Sequence, residues 1–194
     1  MSEMSSLSID AETMRRMVAE AQQGDRVAAE ELIREHQPWV RSAIYAVTGR
    51  VDLVDDVAQQ VWTRAWQRLD TLDNPRRLKS WLYAIARNTA IDAGVAHRRE
   101  RDRTAPLDGQ SGIGDRRQRS PYGAAAGNEL QVTLLQAVQA LPALYREPFV
   151  LRHLEDWSYA EIGEVLGLPV ESVETRLVRA RRMLRESLQG KVES

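Results

Sequence analysis

The stretch "SYAEIGEVLGLPVESVETRLVRARRML", Ser158 to Leu184, decides how the chain is read. Ser158 and Glu161 have the S-x-x-E spacing of a capping box, in which each end of a helix's first turn satisfies the other's free N–H. Ile162, Val165 and Leu166 then share one face. Gly167 can take the left-handed conformation that ends a helix. Leu168 plugs the turn, and Pro169 stands near the first turn of the next helix, where its missing N–H costs little. Val173, Leu177, Ala180 and Leu184 recur by three or four and face inward. Opposite them lie Glu171, Ser172, Thr175, Arg176, Arg179 and Arg182. Two short helices meeting at a glycine, the second outwardly basic, make a helix-turn-helix or a helical hairpin with a solvated basic face. A helix that reads duplex DNA must present long donors near its N-terminal half. Arg176 and Arg179 are placed to reach base edges or phosphates, and Arg181, Arg182 and Arg185 to reach phosphates. Glu171 and Glu174 oppose phosphate, though either can accept from a cytosine amine.

Outward from this stretch the chain stays helical. Met14, Met17, Val18 and Ala21 share a face of a first helix, about Ile9 to Gln23, capped by Asp10. Asp25 caps a second helix containing Ala28, Leu32 and Ile33. Pro38 either kinks it or starts a new helix, and Gly49 stops the "WVRSAIYAV" segment. Val54, Val57, Ala58, Val61, Trp62, Ala65 and Leu69 form a strongly amphipathic third pattern. A fourth runs from Leu78 to about Ala96 with Leu82, Ile85, Ala86 and Ile91 inward. Residues 104–128 are rich in Gly, Pro, Ser and Gln without apolar period and read as a flexible linker. Helices return at about Leu130–Ala140 and Ala143–Leu154, where Leu141, Leu144, Phe149 and Leu151 are expected in the core. Strand alternation is absent. The expected fold is all-α: a helical domain over 9–103, the linker over 104–128, and a second helical domain over 129–190 that holds the helix-turn-helix.

Composition narrows the function. The 194 residues hold no cysteine, which excludes disulfides, thiolate metal sites and a cysteine nucleophile. The N-terminus lacks the basic and apolar regions of a signal peptide, and no apolar run is long enough to span a membrane. The net charge is only −1, but it is unevenly distributed. Met1–Asn74 has 13 acidic and 8 basic residues, Arg76–Arg103 has 8 basic and 3 acidic, and Arg176–Arg185 has five arginines and no acid. Such zoning suits a chain that meets both a phosphate backbone and a basic protein partner. His36, His97 and His153 are scattered and have no metal-ligand spacing. Asp55, Asp56 and Gln59 can share one helical side, as a docking patch for basic side chains or as a solvated face. Trp81, Ile85 and Asn88 follow one side of the next helix; Tyr83 and Arg87 lie on another and offer stacking and phosphate contact. Asn88 can both donate to and accept from a base edge, or can serve a helix end. Asp92 is expected to order a nearby arginine or a helix end. Trp39, Trp62, Trp66 and Trp157 read as packing residues.

"DLVDDVAQQVWTRAWQRLD" (52–70), "RRLKSWLYAIARNTAID" (76–92) and the segment from Leu141 to Leu188, in that order, resemble the extracytoplasmic-function group of the bacterial sigma-70 family. The resemblance implies a subunit that binds core RNA polymerase, directs it to promoters and stabilises the opened strands, without catalysis or a cofactor of its own. It implies that Asp55, Asp56, Gln59, Arg64 and Trp66 dock on the clamp of the polymerase large subunit. Trp81, Arg87, Asn88 and Asp92 fall where the −10 element is opened and held, and Tyr83 joins them by position. Arg98, Arg99, Arg101 and Arg103 follow where upstream duplex would run. Ser172, Thr175, Arg176, Arg179 and Arg182 would read the −35 element, with the preceding helices on the polymerase flap. It further implies a cytoplasmic protein, no small-molecule substrate, no direct membrane insertion and an anti-sigma partner. Two departures stand out: "ESVETR" opens the reading helix where relatives carry a small residue and a lysine, and Gly94 interrupts the basic helix, ending it early or permitting a bend. The alternative reading is a stand-alone helix-turn-helix regulator with an N-terminal effector or dimerisation domain. A helical hydrolase using Asp55, Asp56 and His36 lacks a nucleophile setting and a ligand set. A pure interaction protein would bind no DNA.

Overall fold

The computed structural model describes residues 10–104 and 129–192, and all regular structure among them is helical. Eight α-helices follow one another: α1 (Ala11–Gln22), α2 (Arg26–Thr48), α3 (Val54–Arg68), α4 (Leu78–Thr104), α5 (Glu129–Ala140), α6 (Ala143–His153), α7 (Tyr159–Leu166) and α8 (Val170–Val192). Two single 3-10 turns, Leu69–Thr71 and Pro75–Arg77, join α3 to α4. Apart from Thr104, the expected linker lies outside the described residues.

The expected caps are present. Asp10 accepts from the N–H groups of Glu12 and Thr13, and Asp25 from those of Val27 and Ala28, so each satisfies donors that the first helical turn leaves free. Pro38 neither ends nor divides its helix, and α2 runs through it to Thr48 before Gly49 closes it. Gly94 likewise leaves α4 continuous to Thr104, about two turns beyond the expected end.

α2 is the hub. It packs against α1, α3 and α4 in the N-terminal lobe and against α6 in the C-terminal lobe. One continuous core therefore spans both lobes. Val40, Ile44, Val57, Val61 and Leu82 from the first meet Val150, Leu151, Trp157, Ile162 and Leu177 from the second. Met17, Val18, Leu32, Leu69, Leu72 and Leu78 form a satellite cluster under α1. Two expected core residues lie outside. Ile91 is exposed because the buried face of α4, built from Leu82, Tyr83, Ile85, Ala86, Thr89 and Ala90, ends one residue before it. Leu144 is exposed because it stands in the first turn of α6, whose buried face begins only at Arg146.

Candidate nucleic-acid and polymerase interface

The helix-turn-helix forms as its spacing predicts. The Ser158 hydroxyl accepts from the Glu161 N–H at 3.2 Å, and Glu161 accepts from the Ser158 N–H at 2.8 Å. Gly167 ends α7 at φ 66°, a conformation that costs glycine little. Gly163 carries a second demand that the sequence pattern does not announce: a Cβ there would stand 2.7 Å from the Leu168 carbonyl oxygen. That close crossing lets α7 and α8 meet. Val173, Leu177, Ala180 and Leu184 are buried. Thr175, Arg179 and Arg182 are exposed, and Ser172 and Arg176 are half-buried. The Thr175 hydroxyl donates to the Glu171 carbonyl at 2.8 Å, and Arg182 lies 3.7 Å from Glu186. Neither contact removes its side chain from solvent. Glu171 and Glu174 are exposed on the same outer side, and Val178 stands there too, 54% exposed.

On α3 the five docking candidates divide. Asp55 and Asp56 occupy the first turn, where the partial positive charge of the helix end favours carboxylates. Asp56 and Gln59 face solvent. Asp55 is also exposed but is ion-paired with Arg41 of α2. Arg64 turns toward α4, donating to the Thr89 hydroxyl at 2.9 Å and lying 3.4 Å from Asp92. Asp92 thus orders an arginine, as the sequence suggested. Trp66 is half-buried beside Trp62, with ring centroids 6.3 Å apart.

The two sides of α4 also separate. Asn88, Arg98 and Arg99 are exposed and Trp81 is half-buried. Tyr83 is fully buried, its ring centroid 5.7 Å from that of Trp157. Burial, with the Glu147 carboxylate nearby, drives the Tyr83 phenol far above its ordinary value. Its hydroxyl lies 3.3 Å from Glu147. Arg87 donates to the same carboxylate at 2.9 Å through Nε and 3.4 Å through Nη2, and this contact holds the guanidinium more firmly charged.

Glu147 belongs to the C-terminal lobe, and sequence reasoning assigned it nothing. Its neighbour Arg146 is buried as well, its charged form disfavoured by that burial. The Arg146 guanidinium donates to the carbonyls of Ala46 and Val47 at 2.8 and 3.0 Å, and to those of Gln139 and Leu141 at 2.9 Å each. Four accepting carbonyls make burial of this cation tolerable. The available signal was "YREP", 145–148, a charged pair set among the apolar residues Leu144, Tyr145, Phe149, Val150 and Leu151 of α6. Nearby, Lys79 bonds Glu161 at 2.9 Å and sits 4.1 Å from the centroid of the Trp157 ring. A cleft of about 700 Å³ opens beside this seam, lined in part by His36, Trp39, Lys79, Glu155 and Trp157. Among the described residues no group of His, Asp and Glu could hold a metal ion, and no helix is long and apolar enough to cross a membrane.

Residues 32–104 match the family model for sigma-70 region 2, and residues 131–184 that for sigma-70 region 4. The chain is 30% identical over 180 residues to the ECF RNA polymerase sigma factor SigW of Bacillus subtilis, covering 90% of this chain and 96% of that one. It is 32% identical over 180 residues to the RNA polymerase sigma-H factor of Pseudomonas aeruginosa, covering 89% and 92%. Among solved structures, CnrH in complex with the cytosolic domain of CnrY aligns at TM-score 0.63 and 27% identity, covering 91% of this chain and 97% of that chain. The Bartonella quintana sigma factor RpoE shares the fold, at TM-score 0.62 and 23% identity over 82% and 96%. Two matched regions in order, joined over nearly the whole length of full-length relatives, leave one assignment: this chain belongs to the sigma-70 family and is an RNA polymerase sigma factor of the ECF group.

Proposed function

We propose that three surfaces divide the work of promoter-directed initiation. The N-terminal turn of α3, with Asp56 and Gln59 outermost and Asp55, Arg64 and Trp66 beside them, docks on a basic surface of the polymerase clamp. α4 offers Asn88, with the half-buried Trp81 and Arg87 beside it, to the opened −10 strand and Arg98 and Arg99 to the adjoining duplex backbone, while Tyr83, buried against Trp157 and Glu147, supports that helix from within. α8 enters the −35 major groove with Ser172, Thr175, Arg176, Arg179 and Arg182. Domain limits of 9–103 and 129–190 fit this division. The observation that carries the reading is the sidedness of α8: Val173, Leu177 and Ala180 are buried beneath it while Thr175, Arg179 and Arg182 stand out in solvent. A rod of that kind behind a tight turn is the geometry that fits a major groove.

An inhibitory protein partner is part of the same reading. CnrH is seen with the cytosolic domain of CnrY bound, and in this chain the cleft lined by Trp39, Lys79 and Trp157 is the candidate place for such a partner.

Two variants test the reading. Asp56→Arg, exposed and unpaired by any contact described above, should lose most binding to core polymerase in a pull-down, because like charges across an interface repel. Asn88→Ala should slow opening of the −10 region, followed by permanganate reactivity. Wild-type recovery of core with Asp56→Arg would move the docking surface elsewhere, and an unchanged opening rate would remove Asn88 from the strand-binding set.

A further inference from the structure

The outermost line of α8 is not uniformly basic. Opposite the buried Val173, Leu177 and Ala180, at about 100° of rotation per residue, stand Glu171, Thr175, Val178 and Arg182. Glu171 lies in the first turn of the helix and is exposed, and its carboxylate has no hydrogen bond or ion pair among the described residues. The Thr175 hydroxyl turns back onto the Glu171 carbonyl at 2.8 Å, so its proton is not offered outward. Val178 is 54% exposed, an aliphatic side chain on an otherwise polar line. In a helix-turn-helix the N-terminal residues of the second helix meet the base edges. Glu171 and Val178 both lie in that half of α8, whereas Arg182 stands a full turn beyond Val178.

A carboxylate in a major groove can only accept. Guanine presents two acceptors there and thymine one, so both repel it. Adenine offers an amine, but the N7 acceptor beside it opposes the second carboxylate oxygen. Cytosine offers its amine alone and is the matching base. The same carboxylate repels phosphate on every duplex, and that cost is offset only where the amine is present. Discrimination of this kind comes from a repulsive element as much as from an attractive one. For Val178 the apolar partner in the groove is the thymine methyl. Glu171 and Val178 stand seven positions apart, about 10 Å along the helix at about 1.5 Å per residue. At about 3.4 Å per base step that distance is about three base pairs.

From this we infer that Glu171 and Val178 set a base preference of this chain's −35 element: a cytosine facing Glu171 and, about three base pairs away on either strand, a thymine whose methyl packs on Val178. The inference rests on the proposed reading of α8 as the helix in the −35 groove, and it names what that groove must contain.

The test is transcription by core polymerase reconstituted with the full chain, on a promoter library randomised through the −35 region, with the RNA products sequenced. The native chain should favour cytosine over guanine about tenfold at one position of the element. Glu171→Ala should level that preference. Glu171→Gln should move it to adenine, whose adjacent donor and acceptor match an amide. On the preferred promoter made synthetically, deoxyuridine in place of the thymine should lower initiation by the native chain about fourfold, the worth of one buried methyl. The same replacement should leave Val178→Ser unaffected. Both side chains are exposed, so these changes leave the core untouched. A native preference for a base other than cytosine at the position that Glu171→Ala levels would overturn the assignment of that base. A uracil penalty equal in the native chain and Val178→Ser would overturn the role of Val178. Arg179→Ala in the same library separates the inference from the reading beneath it. If Arg179→Ala erases the −35 preference while both Glu171 variants keep every native base preference, α8 reads DNA but Glu171 does not choose the base, and the inference alone falls. If no variant of α8 alters the preference, α8 is not the reader, and both fall together.

Discussion

At the scale of single residues, His36 shows how the seam controls titration. It stands beside Trp39, with ring centroids 6.0 Å apart. Burial, and then the Lys79 cation, hold its imidazole down at about 4, from an ordinary 6.5. The unfolded chain therefore binds a proton that the folded chain refuses between pH 6.5 and about 4. Folding stability should be whole above pH 6.5 and fall as the pH drops through that window, by about 2 kcal/mol at pH 5. Glu155 acts with the opposite sign, since burial raises its carboxyl and lets the folded form take up a proton more readily. His36→Gln isolates the histidine's share. Urea unfolding at pH 7 and pH 5 should show a smaller acid loss in the variant than in the native chain. Equal losses would place the acid sensitivity in other groups.

At the scale of elements, α4 is longer than its sequence suggested and runs unbroken through Gly94. Gly94 lies mid-helix, yet a Cβ added there would meet nothing within 4 Å. Helix hydrogen bonding on either side carries the chain through a residue that costs entropy. Gly94→Ala should therefore stabilise the protein by about 0.5–1 kcal/mol, read as a higher urea midpoint at unchanged slope. A loss of stability would mean that the bend glycine permits is used. What the sequence disclosed about elements was what local chemistry controls: the Asp10, Asp25 and Ser158 caps, the stop at Gly49, and the inward stripe of α8. Ile91 and Leu144 were misplaced for one reason. Apolar spacing tells which residues can share a face, but a neighbouring helix chooses which part of a wide face is covered. On α3 the sequence placed Asp55 and Arg64 on one helix, but their engagement by Arg41 and by Asp92 depends on α2 and α4.

At the scale of the whole molecule, sequence gave two helical bodies and a tether, and the structure adds that the bodies share a core. Nothing local foretells that Arg146 of α6 finds the α2 carbonyls of Ala46 and Val47, a pairing separated by about a hundred residues. The energetic consequence is coupling. With Trp39 and Trp157 in edge contact at 5.5 Å across the seam, the lobes should unfold together. Tryptophan fluorescence and far-ultraviolet circular dichroism should give coincident single transitions in urea. Two separated transitions would show that the lobes are energetically independent.

The proposed function, too, belongs to the whole molecule, because two modest DNA affinities carried on one chain would multiply through effective concentration. The most direct measurement is therefore genome-wide mapping of RNA 5′ ends made in vitro by core polymerase with and without the purified chain, repeated with Arg179→Ala. Adding the chain should create a discrete set of start sites sharing two upstream sequence blocks, and Arg179→Ala should erase dependence on the farther block while keeping the nearer one. Start sites that are the same with and without the chain would contradict the account.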